Sequence, residues 1–105
     1  MPRWLSRVLE RVHGHAESGG LRLTYKAQRE LLLLGLSPDD VRDVTASLRA
    51  QDSAGRLLSE STGEWLYAFK PEVEGQIIYL KLVLRASCIV ISFHEDESGE
   101  DEATE

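Results

Sequence analysis

The longest apolar segment of the chain predicts a β-hairpin near its C-terminal end. From Gly75 to His94 both halves are rich in β-branched residues, and the only small polar interruption is Ala86-Ser87. Successive side chains of a strand point to opposite faces, so each strand has an apolar face and a mixed face. The residues predicted to be buried are Ile78, Leu80, Leu82, Leu84, Ile89, Ile91 and Phe93.

A two-residue turn at Ala86-Ser87 sets the predicted register of this hairpin. On the mixed face it pairs Tyr79 with His94 and Lys81 with Ser92. A longer loop, or a slip of two residues, would keep the apolar faces and move His94 away from Tyr79. One interpretation of the mixed face is that it carries the chemistry of the protein. The other is that it is an ordinary polar face, because an antiparallel sheet commonly exposes one such face to water. On the apolar face the predicted pairs are Leu84 with Ile89, Leu82 with Ile91 and Leu80 with Phe93.

Three helices are predicted before this hairpin. The prediction is based on apolar residues at helical spacing and on residues that typically start or end a helix. The first covers about residues 3–13 and ends at Gly14. A short strand over Leu21–Tyr25 precedes a second helix over Ala27–Leu34, whose four consecutive leucines indicate burial on much of its circumference. The third begins at Ser37-Pro38, an N-cap followed by proline at the first helical position, and runs to about Ala50.

A second hairpin is predicted between the third helix and the last two strands. Its strands, Arg56–Glu60 and Glu64–Lys70, flank Ser61-Thr62-Gly63, and Pro71 closes the second of them. Strands segregated from helices in this way indicate an α+β domain. We therefore predict a mainly antiparallel sheet of about five strands with three helices packed on one face. A chain of 105 residues is expected to form one such domain.

The net charge of −6 originates at the C-terminal end of the chain. Seven of the eighteen acids lie in Glu95–Glu105, which contains no base, so residues 1–94 hold eleven acids against twelve Lys and Arg. We predict a near-neutral domain over residues 1–94 and an acidic tail over residues 95–105. Because the tail is polar and has no large apolar residue, Ser98–Glu105 is expected to be disordered.

The cysteine and histidine content predicts neither a metal nor a cofactor. The lone Cys88 and the lack of cysteine pairs favour a reducing compartment, with the cytoplasm as the default. His13 and His15 have no third ligand nearby. The Arg-rich start weakly resembles a transit peptide, but Glu10 and the fit of this segment as a core-facing helix argue against one. No apolar run approaches the ~20 residues that span a bilayer, so no membrane partner is expected.

Several sequence landmarks follow one another in an order that resembles the MqsR family. These proteins are bacterial mRNA interferase toxins with a RelE-like fold, and the resemblance covers about residues 20–94. Its strongest part is the last hairpin. The landmarks are Leu34-Gly35-Leu36-Ser37 before a helix, a basic residue after that helix, Trp65, Phe69-Lys70-Pro71, Gly75-Gln76, Tyr79-Leu80-Lys81-Leu82 and Val90-Ile91-Ser92-Phe93.

The resemblance implies a metal-independent endoribonuclease that cuts single-stranded mRNA and is neutralised by a cognate antitoxin protein encoded nearby. Tyr79 matches the active-site tyrosine of the family, Arg56 falls where a catalytic lysine is expected, and His94 occupies the position of a late basic residue. One departure concerns Leu66, which follows Trp65 where the family can carry a catalytic glutamine. This departure brings substrate preference and activity into question.

The chemistry of metal-free RNA cleavage fits residues of the mixed face. The reaction needs a base for the 2′-hydroxyl proton, cations for the charged phosphorane and an acid for the leaving 5′-oxygen. His94 can act as base or acid, because imidazole titrates near neutral pH. Arg56 and Lys81 would bind the phosphate and Tyr79 would stack on a base or relay a proton, with Lys70 and Arg85 at the rim. The alternative is a non-catalytic regulatory or protein-interaction domain on the same fold.

Overall fold

Three α-helices and a six-stranded sheet make up residues 1–97, the part of the chain that the structure, a computed structural model, describes. The helices are α1 (Arg3–Ser18), α2 (Tyr25–Leu33) and α3 (Pro38–Ala46), and Ala50–Asp52 form a short 3-10 turn. The strands are β1 (Leu21–Leu23), β2 (Ser53–Leu58), β3 (Trp65–Phe69), β4 (Glu72–Val73), β5 (Gln76–Leu84) and β6 (Cys88–Glu95).

The sheet confirms an α+β domain and corrects the predicted strand arrangement. Its order is β1-β6-β5-β3-β2, and the two-residue β4 pairs with the start of β5. The sheet is mixed rather than wholly antiparallel, because β1 runs parallel to β6. Backbone bonds flank this parallel pairing: Cys88 N–H donates to Gly20 O and Thr24 N–H donates to Val90 O. A three-residue strand carries no sequence signal for its partner, which is why the parallel pair was not predicted.

One hydrophobic core lies between the helices and one face of the sheet. A row of cross-strand partners, Phe69, Leu80 and Phe93, is fully buried at its centre. All three helices contribute to this core, since each buries an apolar stripe that would otherwise face water. The helix residues of the core cluster include Leu5, Val8, Leu9, Val12, Ala27, Leu31 and Val41.

The β5–β6 hairpin has the predicted register at its open end and a different one near its turn. Tyr79 is opposite His94 and Lys81 is opposite Ser92, but Leu82 is then opposite Val90 rather than Ile91. Ile91 is therefore an extra residue on β6, a β-bulge. The connection also contains one more residue than predicted, with Arg85 N–H donating to Ser87 O across it.

The bulge changes which side of β6 faces the core. Cys88 and Val90 are fully buried, whereas Ile89 and Ile91 are only half-buried, so the predicted burial of these two isoleucines is wrong. A bulge adds one residue to the alternation of side chains, and every residue between it and the turn then changes face. Phe93, which lies beyond the bulge, is buried as predicted.

The helix starts were predicted more accurately than the helix ends. Ser37 caps α3 in a full capping box with Asp40, as the Ser-Pro-Asp-Asp sequence indicates. This helix ends at Ala46 rather than near Ala50, and the Ser47 hydroxyl donates to the Asp43 carbonyl at its end. Serine hydroxyls that bond backbone carbonyls in this way weaken helices.

The first helix continues past Gly14, where it was predicted to end, and stops at Ser18. A helical glycine costs about 1 kcal/mol relative to alanine, and buried Ala16 extends the apolar stripe beyond it. Gly19 ends the helix with a φ of 83°, a left-handed conformation that glycine adopts without strain. Near this end, His13 Nε2 lies 2.7 Å from Leu48 O and so connects α1 to the segment after α3.

The leucine run of α2 is mostly exposed, contrary to prediction. This helix begins at Tyr25, because Thr24 caps it by accepting a bond from Ala27 N–H, and β1 accordingly stops at Leu23. Leu31 is buried, but Leu32 and Leu33 are 76% and 89% exposed. The helix lies along the outer edge of β6, so only one side of it faces the core.

The ordered hairpin extends beyond residue 94, the predicted end of the domain. Glu95 belongs to β6, and Asp96 N–H donates to Ile77 O. The segment predicted to be disordered, Ser98–Glu105, lies outside the described residues. None of the helices within residues 1–97 is long and apolar enough to cross a membrane.

Candidate functional site

The side chains of Tyr79 and His94 lie together on the sheet face opposite the core, here called the open face. Their Cα atoms are cross-strand partners, and their rings stack with centroids 5.4 Å apart and an angle of 30° between the planes. His94 Nδ1 lies 2.9 Å from Glu95 O, a contact that constrains the orientation of the ring. Both residues are half-buried, so a ligand on the open face can reach them.

Helix α2 adds Lys26 and Glu30 to this face, two residues that the sequence analysis did not identify. Glu30 Oε1 accepts a hydrogen bond from Phe93 N–H at 3.0 Å, and its Oε2 lies 4.0 Å from His94 Nε2. Lys26 Nζ donates to Ser92 Oγ at 2.9 Å and lies 3.2 Å from Glu30 Oε2. The two side chains connect α2 to β6 directly beside the stacked rings.

The position of Glu30 follows from the edge of the sheet. β1 is shorter than β6, so the Phe93 N–H at the outer edge of β6 has no strand partner, and Glu30 accepts it instead. A Lys-Glu pair four residues apart is recognisable on a helix in the sequence. The sequence does not show which strand edge that helix follows, and this explains why the two residues were missed.

Lys81 and Lys70 were predicted as substrate-binding residues. Lys81 lies two residues from Tyr79 on β5, and Lys70 directly follows β3. Lys81 is half-buried and is the cross-strand partner of Ser92 and Ala68. Lys70 Nζ lies 3.5 Å from Asp96 Oδ2, in an ion pair close to the end of β6. The cations of the open face are therefore interspersed with carboxylates rather than gathered into a basic patch.

Arg85, the third predicted binding residue, lies at the turn end of β5 in a two-pronged contact with Glu64. Its Nε and one terminal nitrogen each donate to a Glu64 oxygen at 2.8 Å. These hydrogen bonds lower the pKa of Glu64 and raise the pKa of Arg85. A phosphate that approaches Arg85 must therefore compete with a carboxylate already bound in the geometry that suits the guanidinium fork.

Arg56, predicted as catalytic, lies on the core side of the sheet and not with Tyr79 and His94. It pairs with Tyr67, which in turn pairs with Leu82, so its side chain shares the face of that buried leucine. Its guanidinium carbon lies 4.7 Å from the Trp4 ring centroid and 4.0 Å from that of Trp65. This arrangement is a cation-π sandwich that joins α1 to the edge of the sheet.

A groove elsewhere on the surface is separate from the stacked rings. It has a volume of about 880 Å³ and lies between the end of α3 and the β4–β5 turn. Val44, Arg49, Val73 and Ile77 are among its lining residues, and neither Tyr79 nor His94 is. Residues 1–97 contain no group of three His, Cys, Asp or Glu side chains placed to hold a metal ion.

The open-face site, defined here as Tyr79, His94, Lys81, Lys26 and Glu30, combines an aromatic surface, an imidazole, two ammonium groups and a carboxylate. Such a set can stack a base, attract a phosphate and transfer a proton without a cofactor. No protein-family model matches the chain, and no curated protein matches it significantly.

Proposed function

We propose that this protein is a toxin of a type II toxin-antitoxin system that cleaves single-stranded mRNA by attack of a 2′-hydroxyl on the adjacent phosphate. The observation that carries the proposal is the stacked pair of Tyr79 and His94 beside Lys81 on an accessible sheet face. The family resemblance of the last hairpin points to the same two residues. The reaction needs no metal, because proton transfer and charge stabilisation can both come from side chains.

In this mechanism His94 takes the 2′-hydroxyl proton as the 2′-oxygen bonds to phosphorus. The bond from phosphorus to the 5′-oxygen then breaks, and that oxygen takes a proton from solvent and leaves as a hydroxyl. The products are a 2′,3′-cyclic phosphate and a 5′-hydroxyl end. Glu30 Oε2 lies 4.0 Å from His94 Nε2.

The remaining members of the open-face site would bind the substrate. Lys81 is the cross-strand partner of Ser92, and Lys26 Nζ donates to Ser92 Oγ, two residues from His94 on β6. Ammonium groups act as point charges toward phosphate. Tyr79 presents one side of its ring to a base, the usual way in which proteins hold single-stranded RNA. Arg56 has no part in this scheme because it lies on the opposite face of the sheet.

A cognate antitoxin protein, encoded nearby, and a cytoplasmic location complete the proposal. The antitoxin comes from the resemblance, since an unrestrained ribonuclease would harm its host, and the location comes from the lone Cys88, which favours a reducing compartment. We expect a small companion gene next to this one, and co-expression of its product should suppress any growth arrest. Harmless expression of this chain alone, together with the lack of such a gene, would count against the toxin assignment.

Induced expression followed by genome-wide mapping of RNA 5′ ends tests the cleavage in cells. The intact chain should arrest growth and create new 5′-hydroxyl ends within mRNA. His94→Ala should abolish both effects, while His15→Ala, a change of the same kind at the end of α1, should leave them intact. New ends that persist in the His94→Ala strain would contradict the proposed role of His94.

A non-catalytic interaction domain is the second candidate, and the ion pairing of the open face favours it. Lys26, Lys70 and Arg85 each contact a carboxylate, which reduces the positive charge available to RNA. Leu66, where the family can carry a catalytic glutamine, adds no polar group to β3. Unchanged RNA ends during expression would favour this candidate over the ribonuclease.

A further inference from the structure

The outer face of α2 exposes three large side chains that the open-face site does not use. Tyr25, Leu32 and Leu33 are 85%, 76% and 89% exposed. Their spacing of seven and eight residues places them on one side of the helix, with exposed Arg29 between them. Single exposed leucines are common on protein surfaces, but a contiguous apolar stripe on one helix is typical of an interaction site.

The exposed charged side chains of α2 itself, Lys26 and Arg29, are both basic. Arg29 lies at its centre and forms no ion pair with any residue among 1–97. Lys26 flanks the stripe, and the only acid of α2, Glu30, is turned toward β6, where it accepts the Phe93 N–H. A partner that buries the leucines therefore gains from a carboxylate near Arg29, whereas a cation there would be repelled.

We propose that the outer face of α2, formed by Tyr25, Arg29, Leu32 and Leu33, docks an acidic amphipathic helix of a partner protein. A helix is the matching element because the backbone groups of α2 are bonded within the helix and offer no edge to a strand. Tyr25, Arg29 and Leu33 are spaced four residues apart, and such a row forms a ridge that packs into the groove of another helix.

Two other occupants fit the stripe less well. A second copy of the chain, packed about a two-fold axis through the middle of the stripe, would bring Arg29 against its own symmetry mate. A nine-residue helix with two exposed leucines presents little apolar surface for insertion into a membrane.

The docked helix would border the open-face site. Successive residues turn by about 100° around a helix, so Leu33 lies next to Lys26 and Glu30 when α2 is viewed along its axis. Carboxylates of the partner can then reach Lys26. The docking proposal does not depend on ribonuclease activity, because binding to α2 is measured directly.

Selection from a displayed peptide library tests the docking. The library consists of 20-residue helices with a fixed leucine stripe and randomised charged positions, and the bait is the purified full chain. Selected peptides should be enriched in Asp and Glu near the centre of the stripe. Enrichment of basic or uncharged peptides, or the recovery of no binder, would overturn the proposal.

Matched variants then locate the binding surface. Leu32→Glu with Leu33→Glu should weaken binding of a selected peptide by at least about tenfold. Leu57→Glu with Leu58→Glu, which changes two exposed leucines of β2, should leave binding unchanged. All four side chains are more than half exposed, so both variants should remain folded. Equal loss in the two variants would overturn the assignment to α2.

A charge swap provides the sharpest control. The Arg29→Glu variant should bind the acidic peptide several-fold more weakly than the intact chain does. It should instead bind a version of the peptide in which the central acids are changed to lysine. Light scattering of the free chain tests for a second copy on the stripe. Flotation with phosphatidylcholine–phosphatidylglycerol vesicles tests for a membrane. A dimer, or vesicle binding, that Leu33→Glu abolishes would assign the stripe to that occupant and overturn the proposal.

Discussion

Tyr79 and His94 touch because the pairing of β5 and β6 is regular from Lys81 to the open end of the hairpin. The bulge at Ile91 lies between this part and the turn. It changes the register of the residues near the turn and leaves the pairing of Tyr79 with His94 unchanged. Both rings sit on the face away from the core and are partly open to solvent. Their contribution to folding is therefore expected to be small.

Replacement of His94 by alanine is expected to change the free energy of unfolding by no more than about 0.5 kcal/mol, as is usual for a partly exposed sheet residue. Urea denaturation of the intact chain and the variant provides the comparison. A loss of several kcal/mol would mean that His94 is a structural residue, and the loss of any activity in the variant would then have a different explanation.

Cys88 is predicted to be unreactive in the folded protein. Burial raises the pKa of its thiol from 9.0 to about 12, so the thiol stays protonated at neutral pH. A thiol reagent at pH 8 should label Cys88 only after unfolding. Rapid labelling of the native chain would contradict the burial of β6.

The same shift predicts a loss of stability at high pH. The unfolded thiol releases its proton near its ordinary pKa of 9.0, whereas the folded thiol retains it until about 12. The contribution of Cys88 is therefore complete below pH 9 and is lost as pH rises toward 12. Urea denaturation between pH 9 and 12 should therefore show a smaller fall in the free energy of unfolding for Cys88→Ala than for the intact chain.

The strands of the last hairpin carry the centre of the core, and Leu82 is fully buried there. Leu82→Ala should reduce the free energy of unfolding by roughly 2–5 kcal/mol, because it removes buried methyl groups and leaves a cavity. Leu57→Ala is the matched control, since Leu57 is 57% exposed on the edge strand β2. Similar losses in the two variants would contradict the assigned faces of the sheet.

The elements that have strong local signals could be predicted from the sequence. The capped start of α3, the β2–β3 hairpin and the alternation of β5 could all be predicted, because capping residues, turn residues and period-two patterns act over a few positions. The bulge and the exposed leucines of α2 could not. Ile91 has the same β propensity inside or outside a bulge, and Leu32 is a good helix former in water or in a core.

The candidate site was predictable only where its residues belong to one hairpin. Tyr79 and His94 are connected by a short turn, so their pairing follows from local register. Glu30 and Lys26 reach the site through the packing of α2 along β6, a long-range contact without a local signature. Arg56 was misplaced for the same reason, since the face on which it lies is set by the pairing of β3 with β5, a contact between residues distant in the sequence.

The charge of the whole molecule predicts how RNA binding responds to its C-terminal residues. A chain that stops at Glu97 lacks four acids and has a net charge of −2 instead of −6. Its affinity for single-stranded RNA should be higher than that of the intact chain at low salt, and the difference should shrink as salt screens the charges. Equal affinities at low salt would show that residues 98–105 do not compete with phosphate.

The most direct test of the open-face site is cleavage of a defined single-stranded RNA by the purified chain in the presence of a chelator. A metal-independent attack by the 2′-hydroxyl predicts fragments with 2′,3′-cyclic phosphate and 5′-hydroxyl ends. The same RNA with one 2′-deoxynucleotide at the cut position should remain intact there, and the His94→Ala protein should cut neither substrate. Uncut RNA under all conditions, or cleavage that persists at the 2′-deoxynucleotide, would contradict the proposed reaction.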